Sequence, residues 1–174
     1  MAKKVTDTIF ILETERTVLR YQRKDDLDFF LKLWTDPEAT KYVGGPRDKD
    51  TLIKSFNETA EDPKKEEYDL WYVTLKSTGE LIGMAGIIPK EIENENFFEI
   101  NYFIEKSHQN KGYATEIAKE LLAYHKTVKG IKTFIAIIDR NNIPSVKAAL
   151  KTGLHHWKTV IRNGKEKEIY RADY

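Results

Sequence analysis

The sequence has no cysteine, two methionines, five prolines and no long apolar run. Without cysteine there is no disulfide, no thiolate nucleophile and no cysteine-ligated zinc. No stretch approaches the roughly 20 apolar residues that span a bilayer, so no membrane-crossing helix is expected. Charge of one sign is not in excess either: 29 Lys and Arg stand against 28 Asp and Glu, a net charge of +1. Binding to phosphate backbones normally leaves a basic surplus, so nucleic acid is not expected as a partner. The basic opening, Met1-Ala2-Lys3-Lys4-Val5, leads through Thr6-Asp7-Thr8 to a short apolar run, Ile9 to Leu12. That run is too short for a signal-peptide core. The expectation is a soluble, cytoplasmic protein.

What is present is a chain of 174 residues, 40% hydrophobic and 11% aromatic. This suits one domain, residues 1–174, able to close one core. No repeat, low-complexity stretch or linker interrupts it.

The apolar spacing places the elements. Val18 to Tyr21 reads as a short strand. Leu27, Phe30, Leu31 and Trp34 lie on one face of a helix that Asp25 opens and Asp36-Pro37 ends. Asp50 opens a second helix, with Leu52, Ile53, Phe56 and Ala60 on one side. Lys64 to Glu67 is a solvated loop. Leu70 to Leu75, Leu81 to Ile88 and Phe97 to Ile104 read as strands, the first two joined by a turn at Thr78-Gly79. Ala114, Ile117, Ala118, Leu121, Leu122 and His125 then form the strongest helical stripe in the chain. Thr133 to Ile138 is a strand. Asn142 caps a helix with Pro144 in its first turn, and Gly153 ends it. Asn163-Gly164 joins two last strands. A helix between two strands of such a series implies a parallel, right-handed crossover. The expected fold is α+β: a mixed, mostly antiparallel sheet flanked by helices.

One loop carries chemistry. Gln109-x-x-Gly112-x-Ala114 lies between a strand and the strongest helix. There, free backbone N–H groups and about half a positive charge of helix dipole face outward. Gly112 and Ala114 let a ligand come close, and Lys111 adds charge. Pyrophosphate is a natural guest. The dinucleotide and P-loop signatures are absent. A tight turn that binds nothing is the plain alternative.

Among the other residues, Glu99 and Asn101 are unusual on a mid-sheet strand. His155 and His156 are adjacent on a strand and point to opposite faces, so they make a poor metal pair and no metal is expected. His125 reads as a core residue, and His108 as exposed. Trp34, Trp71 and Trp157 read as core.

Three blocks of this sequence resemble one family. Phe98-Glu99-Ile100-Asn101-Tyr102-Phe103-Ile104 and, after it, Gln109-Asn110-Lys111-Gly112-Tyr113-Ala114-Thr115-Glu116 look like the core of a GNAT-superfamily N-acetyltransferase. Asn142-Ile143-Pro144-Ser145 through Lys151-Thr152-Gly153-Leu154 resembles a second block of that family. Leu12-Glu13-Thr14-Glu15-Arg16-Thr17-Val18-Leu19-Arg20 resembles the first strand of the branch that includes ribosomal-protein-alanine N-acetyltransferases.

The resemblance implies the acyl-CoA N-acyltransferase fold with splayed central strands. It also implies transfer of an acetyl group from acetyl-CoA to a primary amine, of a protein N-terminus or a small molecule, in a ternary complex. Residues Gln109, Asn110, Lys111, Gly112, Tyr113, Ala114 and Thr115 would hold the pyrophosphate, and the backbone of Phe103 and Ile104 the pantetheine arm. Asn142 would contact the cofactor or order the site. Glu99 would be the base that deprotonates the amine. The helix tyrosine that often protonates the leaving thiolate in the family is missing from Val146-Lys147-Ala148-Ala149-Leu150. Ser145 or a water would serve instead. That departure keeps two other readings open: an acyl-CoA-binding sensor or scaffold without turnover, and a plain structural domain. The acceptor would bind between Arg47 to Glu67 and the final hairpin. A homodimer through the terminal strands is a further expectation.

Overall fold

The computed structural model describes residues 10–174, so Ile9 and the basic opening lie outside the described residues. The strands are β1 (Phe10–Glu13), β2 (Thr17–Arg20), β3 (Leu70–Leu75), β4 (Leu81–Ile92), β5 (Glu95–Ile104), β6 (Thr133–Ile138), β7 (His155–Arg162) and β8 (Lys165–Asp173). The helices are α1 (Leu27–Thr35), α2 (Pro37–Thr40), α3 (Lys49–Glu61), α4 (Tyr113–Val128) and α5 (Ile143–Lys151). The strands form one sheet in the order β1-β2-β3-β4-β5-β6-β8-β7. Every pairing is antiparallel except β5 with β6. The crossover through α4 makes that parallel pair, as the strand–helix–strand order requires.

Strand alternation sorts the core into two layers. On one face Leu19, Val73, Ile82, Ala85, Ile87 and Ile100 bury against Ile117, Ala118, Leu121 and Leu122 of α4, and Ala149 of α5 joins them. On the other, Tyr72 and Met84 pack against Phe30, Leu33 and Trp34 of α1 and Leu52 and Phe56 of α3. A smaller group, Phe97, Ile135 and Ile169, closes that second face under β7 and β8. Each fully buried aliphatic side chain contributes about 1.5–3 kcal/mol relative to exposure.

Several local expectations need correction. The polar turn at Thr14 to Arg16 joins two strands, so β1 precedes the first expected strand. The carboxylate at the start of α1 is Asp26, not Asp25, and it is bound to Arg20 and to the Arg23 N–H rather than to the helix. Asp36 does not only end α1: its side chain caps α2. Asp48, not Asp50, caps α3 by accepting the Thr51 N–H at 2.8 Å. β4 runs past Ile88 through Pro89, because beyond Gly86 it has no β3 neighbour and a missing N–H costs no ladder bond. Trp157 is 36% exposed, lying across Phe97 and Arg171 instead of entering the core. His108 is buried, facing Ser107 and Glu80. His125 is core as expected: it is 1% exposed, bonded to the Leu121 carbonyl and stacked on Trp71.

The entry to α1 depends on a buried ion pair. Arg20 (4% exposed) and Asp26 (2%) meet in a two-pronged contact at 2.7 and 2.8 Å. Removing one partner of such a pair leaves an uncompensated buried charge. Asp26→Ala is expected to lower unfolding free energy by about 3–5 kcal/mol in a urea titration. A loss below about 1 kcal/mol would mean that water already screens the pair.

Candidate active site

The parallel ladder between β5 and β6 is short. Phe98 pairs with Phe134 and Glu99 with Ile135, and there the pairing stops. Beyond it both strands continue, to Ile104 and Ile138, and the sheet opens into a gap. β5 keeps its partner on the other side, with Gly83 opposite Ile104 and Gly86 opposite Asn101. Its edge toward β6 therefore has no strand partner beyond Ile100.

The register decides which peptide groups face the gap. Glu105 N–H donates to Ile82 of β4 at 2.8 Å. Successive peptides of an antiparallel strand point to alternate sides. Phe103 therefore turns its N–H and carbonyl to β4, and Tyr102 and Ile104 turn theirs to the gap. Of the expected pair Phe103 and Ile104, only Ile104 presents backbone there. Its carbonyl already accepts the Gln109 side-chain amide at 2.8 Å. Gln109 thus ties the strand end to the loop with its side chain, while its N–H donates to the Lys106 carbonyl at 3.3 Å. The Phe103 ring packs on Trp34 with centroids 4.8 Å apart.

The loop from Glu105 to Gly112 ends in two left-handed residues, Asn110 (φ 60°) and Gly112 (φ 85°). Gly112 is the N-cap of α4, and no side chain caps that helix. The N–H groups of Tyr113, Ala114 and Thr115 have no intrahelical partner. An oxyanion fits there, and any side chain at Gly112 would be strained by its φ and would point toward Arg16, 3.4 Å away.

Arg16 and Glu116 hold this loop in shape, and sequence reasoning gave neither a role. Arg16 Nε contacts Glu116 Oε2 at 2.6 Å, and its Nη1 donates to the Lys111 carbonyl at 3.0 Å. Its guanidinium also lies 4.3 Å over the Tyr113 ring. Glu116 accepts two further bonds, from Thr14 Oγ1 at 2.5 Å and the Arg16 N–H at 2.8 Å. Burial pushes the Glu116 carboxyl up, but these donors outweigh it and hold the group below the usual carboxylate range. The signal was present: both partners stand inside quoted motif blocks, in positions 100 residues apart.

Glu99 is the last paired residue before the gap and is 8% exposed. It faces away from α4, on the same side as Asn101 and Phe103. Burial pushes its carboxyl up, opposed by Lys90, Asn101, Arg162 and the Ile137 N–H. Lys90 Nζ stands 3.7 Å from Glu99 Oε2. Across the gap, Asn142 caps α5 by accepting the Ser145 N–H at 3.4 Å. Tyr102, on the α4 side of β5, donates its hydroxyl to the Ser145 carbonyl at 3.2 Å. A phenol therefore reaches the start of α5 from the strand, although the helix carries none. The structure brings Asn142, Ser145 and Tyr102 together and sets Glu99 on the other face of β5.

Against this geometry the comparisons are consistent. The sequence pattern described as Acetyltransferase (GNAT) domain matches residues 16–155. The chain belongs to the GNAT acetyltransferase family, and its fold is the GNAT fold. It is similar to the protein YkkB of Bacillus subtilis (strain 168), with 33% identity over 160 residues, 91% of this chain and 93% of YkkB. Among solved structures it is similar to an acetyltransferase from Agrobacterium tumefaciens, with a TM-score of 0.79, 24% identity and 100% of both chains covered. It is also similar to the spermidine N-acetyltransferase of Vibrio cholerae, solved with CoA and spermine, with a TM-score of 0.70 and 20% identity over 89% of this chain and 92% of that one.

The Glu116 linkage has a definite sign. A carboxyl whose folded pKa is depressed adds stability above its unfolded value, and that stability is lost as pH falls through the folded value. Glu116→Gln is expected to flatten the acid limb of a stability–pH curve below about pH 4.5. Urea titrations at several pH values would check this; an unchanged limb would show that the donors to Glu116 add nothing.

Proposed function

We propose that the protein is an acetyl-CoA-dependent N-acetyltransferase that acts on a primary amine by direct attack in a ternary complex. The observation that supports this most is the gap after Glu99 and Ile135, with the uncapped start of α4 at its end. The residues present fit acetyl-CoA. The N–H groups of Tyr113, Ala114 and Thr115 suit the pyrophosphate, helped by the backbone of Asn110 to Gly112; Gln109, whose N–H is bonded to Lys106, contributes through its side-chain tie to Ile104. The free edge of β5 at Tyr102 and Ile104 suits an amide-bearing arm. Bound acetyl-CoA supplies the thioester carbonyl that the amine attacks.

The rest falls to the chain's own residues. An ammonium is not a nucleophile, so a proton must leave first. Glu99 accepts it, directly or through a water; its raised pKa brings it closer to that of an amine than an exposed carboxylate would be. At the other side of the gap stand the Ser145 and Tyr102 hydroxyls. Burial pushes the Tyr102 phenol up, so it stays protonated at neutral pH, the state a proton donor to a leaving thiolate needs. Asn142 orders the start of α5 and positions both. The missing helix tyrosine, which favoured a binding-only reading, is thereby offset. The acceptor is a primary amine, and action in the cytoplasm is compatible with acetyl-CoA as cosubstrate.

The decisive experiment is a thermal-shift titration with acetyl-CoA, CoA and ATP, on wild type and Gly112→Glu. Ligand at about a hundred times its Kd adds about 2.7 kcal/mol. The wild type is expected to shift with both CoA species and not with ATP, and Gly112→Glu to lose the shift while keeping its fold. No shift in the wild type at millimolar acetyl-CoA would defeat the reading.

Glu99→Gln is expected to lower turnover by about 10²–10⁴-fold at unchanged acetyl-CoA affinity. The wild-type kcat/KM should rise with pH through a value above the ordinary carboxylate range, and the variant should lack that limb. Tyr102→Phe should lower kcat with little change in KM. Wild-type rates in both variants would remove both residues from the chemistry.

A further inference from the structure

A cavity of about 160 Å³ lies on the Glu99 side of the sheet, beneath α1 and α3. It is small beside the roughly 300–1,000 Å³ of drug-sized sites, which restricts a guest to about the size of an amino acid. Its floor is Leu70, Tyr72 and Met84, and Arg47, Ser55 and Phe56 come from the stretch expected to bind the acceptor. Tyr72 is opposite Met84, and Met84 opposite Phe103; Leu70 is opposite Gly86, and Gly86 opposite Asn101. Met84 is thus one strand spacing, about 4.8 Å, from β5, and Leu70 and Tyr72 are two. Between Leu70 and Asn101, the backbone of Asp69 closes directly over Gly86. A Cβ there would lie 1.8 Å from the Asp69 carbonyl.

Three polar groups on this cavity are incompletely paired. Trp34 is 2% exposed, and its indole N–H has no hydrogen-bond acceptor. Arg47 sits at the mouth, its guanidinium 3.9 Å from the centre of the Trp34 ring. Its pKa is lowered by burial alone, with no carboxylate acting on it. Asp69 is half-buried and accepts only the Leu70 N–H, at 2.7 Å. Burial raises its pKa; the one charge acting on it is that of Glu66, which is of the same sign. A guanidinium without an anion and a carboxylate without a cation therefore line one cavity without pairing with each other, among the described residues. Of the other described guanidiniums, those of Arg16, Arg20, Arg140 and Arg171 each meet a carboxylate, while Arg162 keeps a buried Nη1 with no partner among the described residues. Partly desolvated charges are costly unless paired, and a guest of matching polarity would pair both.

We infer that this cavity binds a small zwitterionic amine, with its oxyanion against Arg47 and its positive nitrogen on the Asp69 side. The inference rests on the acetyl-transfer reading only in making this guest the acceptor; the binding itself does not require it. The oxyanion is a carboxylate or a phosphonate-like group. The planar guanidinium serves either. The cavity then distinguishes amino acids from simple amines of the same side chain.

The test is titration calorimetry with a panel of small scaffolds, on protein saturated with CoA and on protein alone. Each scaffold is offered as the amino acid, the aminophosphonate, the amine lacking the anion and the acid lacking the amine. At least one zwitterion is expected to bind tenfold or more tighter than both of its truncated partners. The better of the carboxylate and phosphonate arms identifies the oxyanion. Arg47→Gln should bring that zwitterion to the level of the amine, and the isosteric Asp69→Asn to the level of the acid, with thermal midpoints showing that both fold. If no zwitterion is preferred, or both variants bind it as wild type does, the inference is overturned. Acetyl-CoA titration of the same preparation keeps the two readings apart. Its failure defeats acetyl transfer, while the titrations on protein alone still decide the cavity.

Discussion

The site depends on a ladder that ends early. Two neighbouring strands that ran parallel along their whole length would satisfy each other's backbone and leave nothing for a ligand. Here β5 and β6 pair at Phe98 and Glu99 only. Past Glu99 the strand presents an edge with unpaired donors and acceptors, held rigid from behind by β4. An exposed edge is ordinarily an invitation to aggregate. Enclosed between two packed layers, it becomes a template for one extended guest. The gap also divides the chemistry by face, since alternation along β5 turns Glu99 to one side and Tyr102 to the other.

Much of this was legible in the sequence, and the reason is local. The α4 stripe, the alternation from Phe97 to Ile104, Asn142 with Pro144, and the Asn163-Gly164 turn each combine a periodic signal with a terminating residue. Leu70 to Leu75 and Thr133 to Ile138 are strands with the expected bounds. The errors are of another kind. Asp25 and Asp26 are equivalent to a reader of caps, and only the Arg20 guanidinium, buried beside Asp26, distinguishes them. Asp48 and Asp50 differ by where the chain turns after Gly44 and Gly45. Trp157 is apolar enough for a core, but it lies on β7, the last strand of the sheet, where one face has no helix above it.

At the site, the Gln109 to Ala114 pattern indicated the loop and the helix start, because a helix start after a left-handed glycine has one geometry. What it could not indicate is which peptide of β5 faces the gap. That is fixed by pairing with Gly83 and Ile82, residues some twenty positions away, and a shift of one residue inverts it. The contact of Tyr102 with Ser145 was not legible for a related reason. The family resemblance directs attention to the helix after Asn142, whereas the phenol arrives from the strand. The cavity beneath α1 and α3 is assembled from segments that share no motif, so only the folded chain brings Arg47, Trp34 and Asp69 to one space.

The bond from Glu116 to Thr14 and Arg16 joins the outermost strands to the first turn of α4. The amino-terminal hairpin is at the far side of the sheet from β7 and would by position alone be the first part to fray. Anchored to the ligand loop, it is coupled to whatever occupies that loop. Thermodynamic coupling is reciprocal. A guest at α4 would slow amide exchange in β1 and β2, and loosening those strands would weaken the guest by the same factor, without either touching the other.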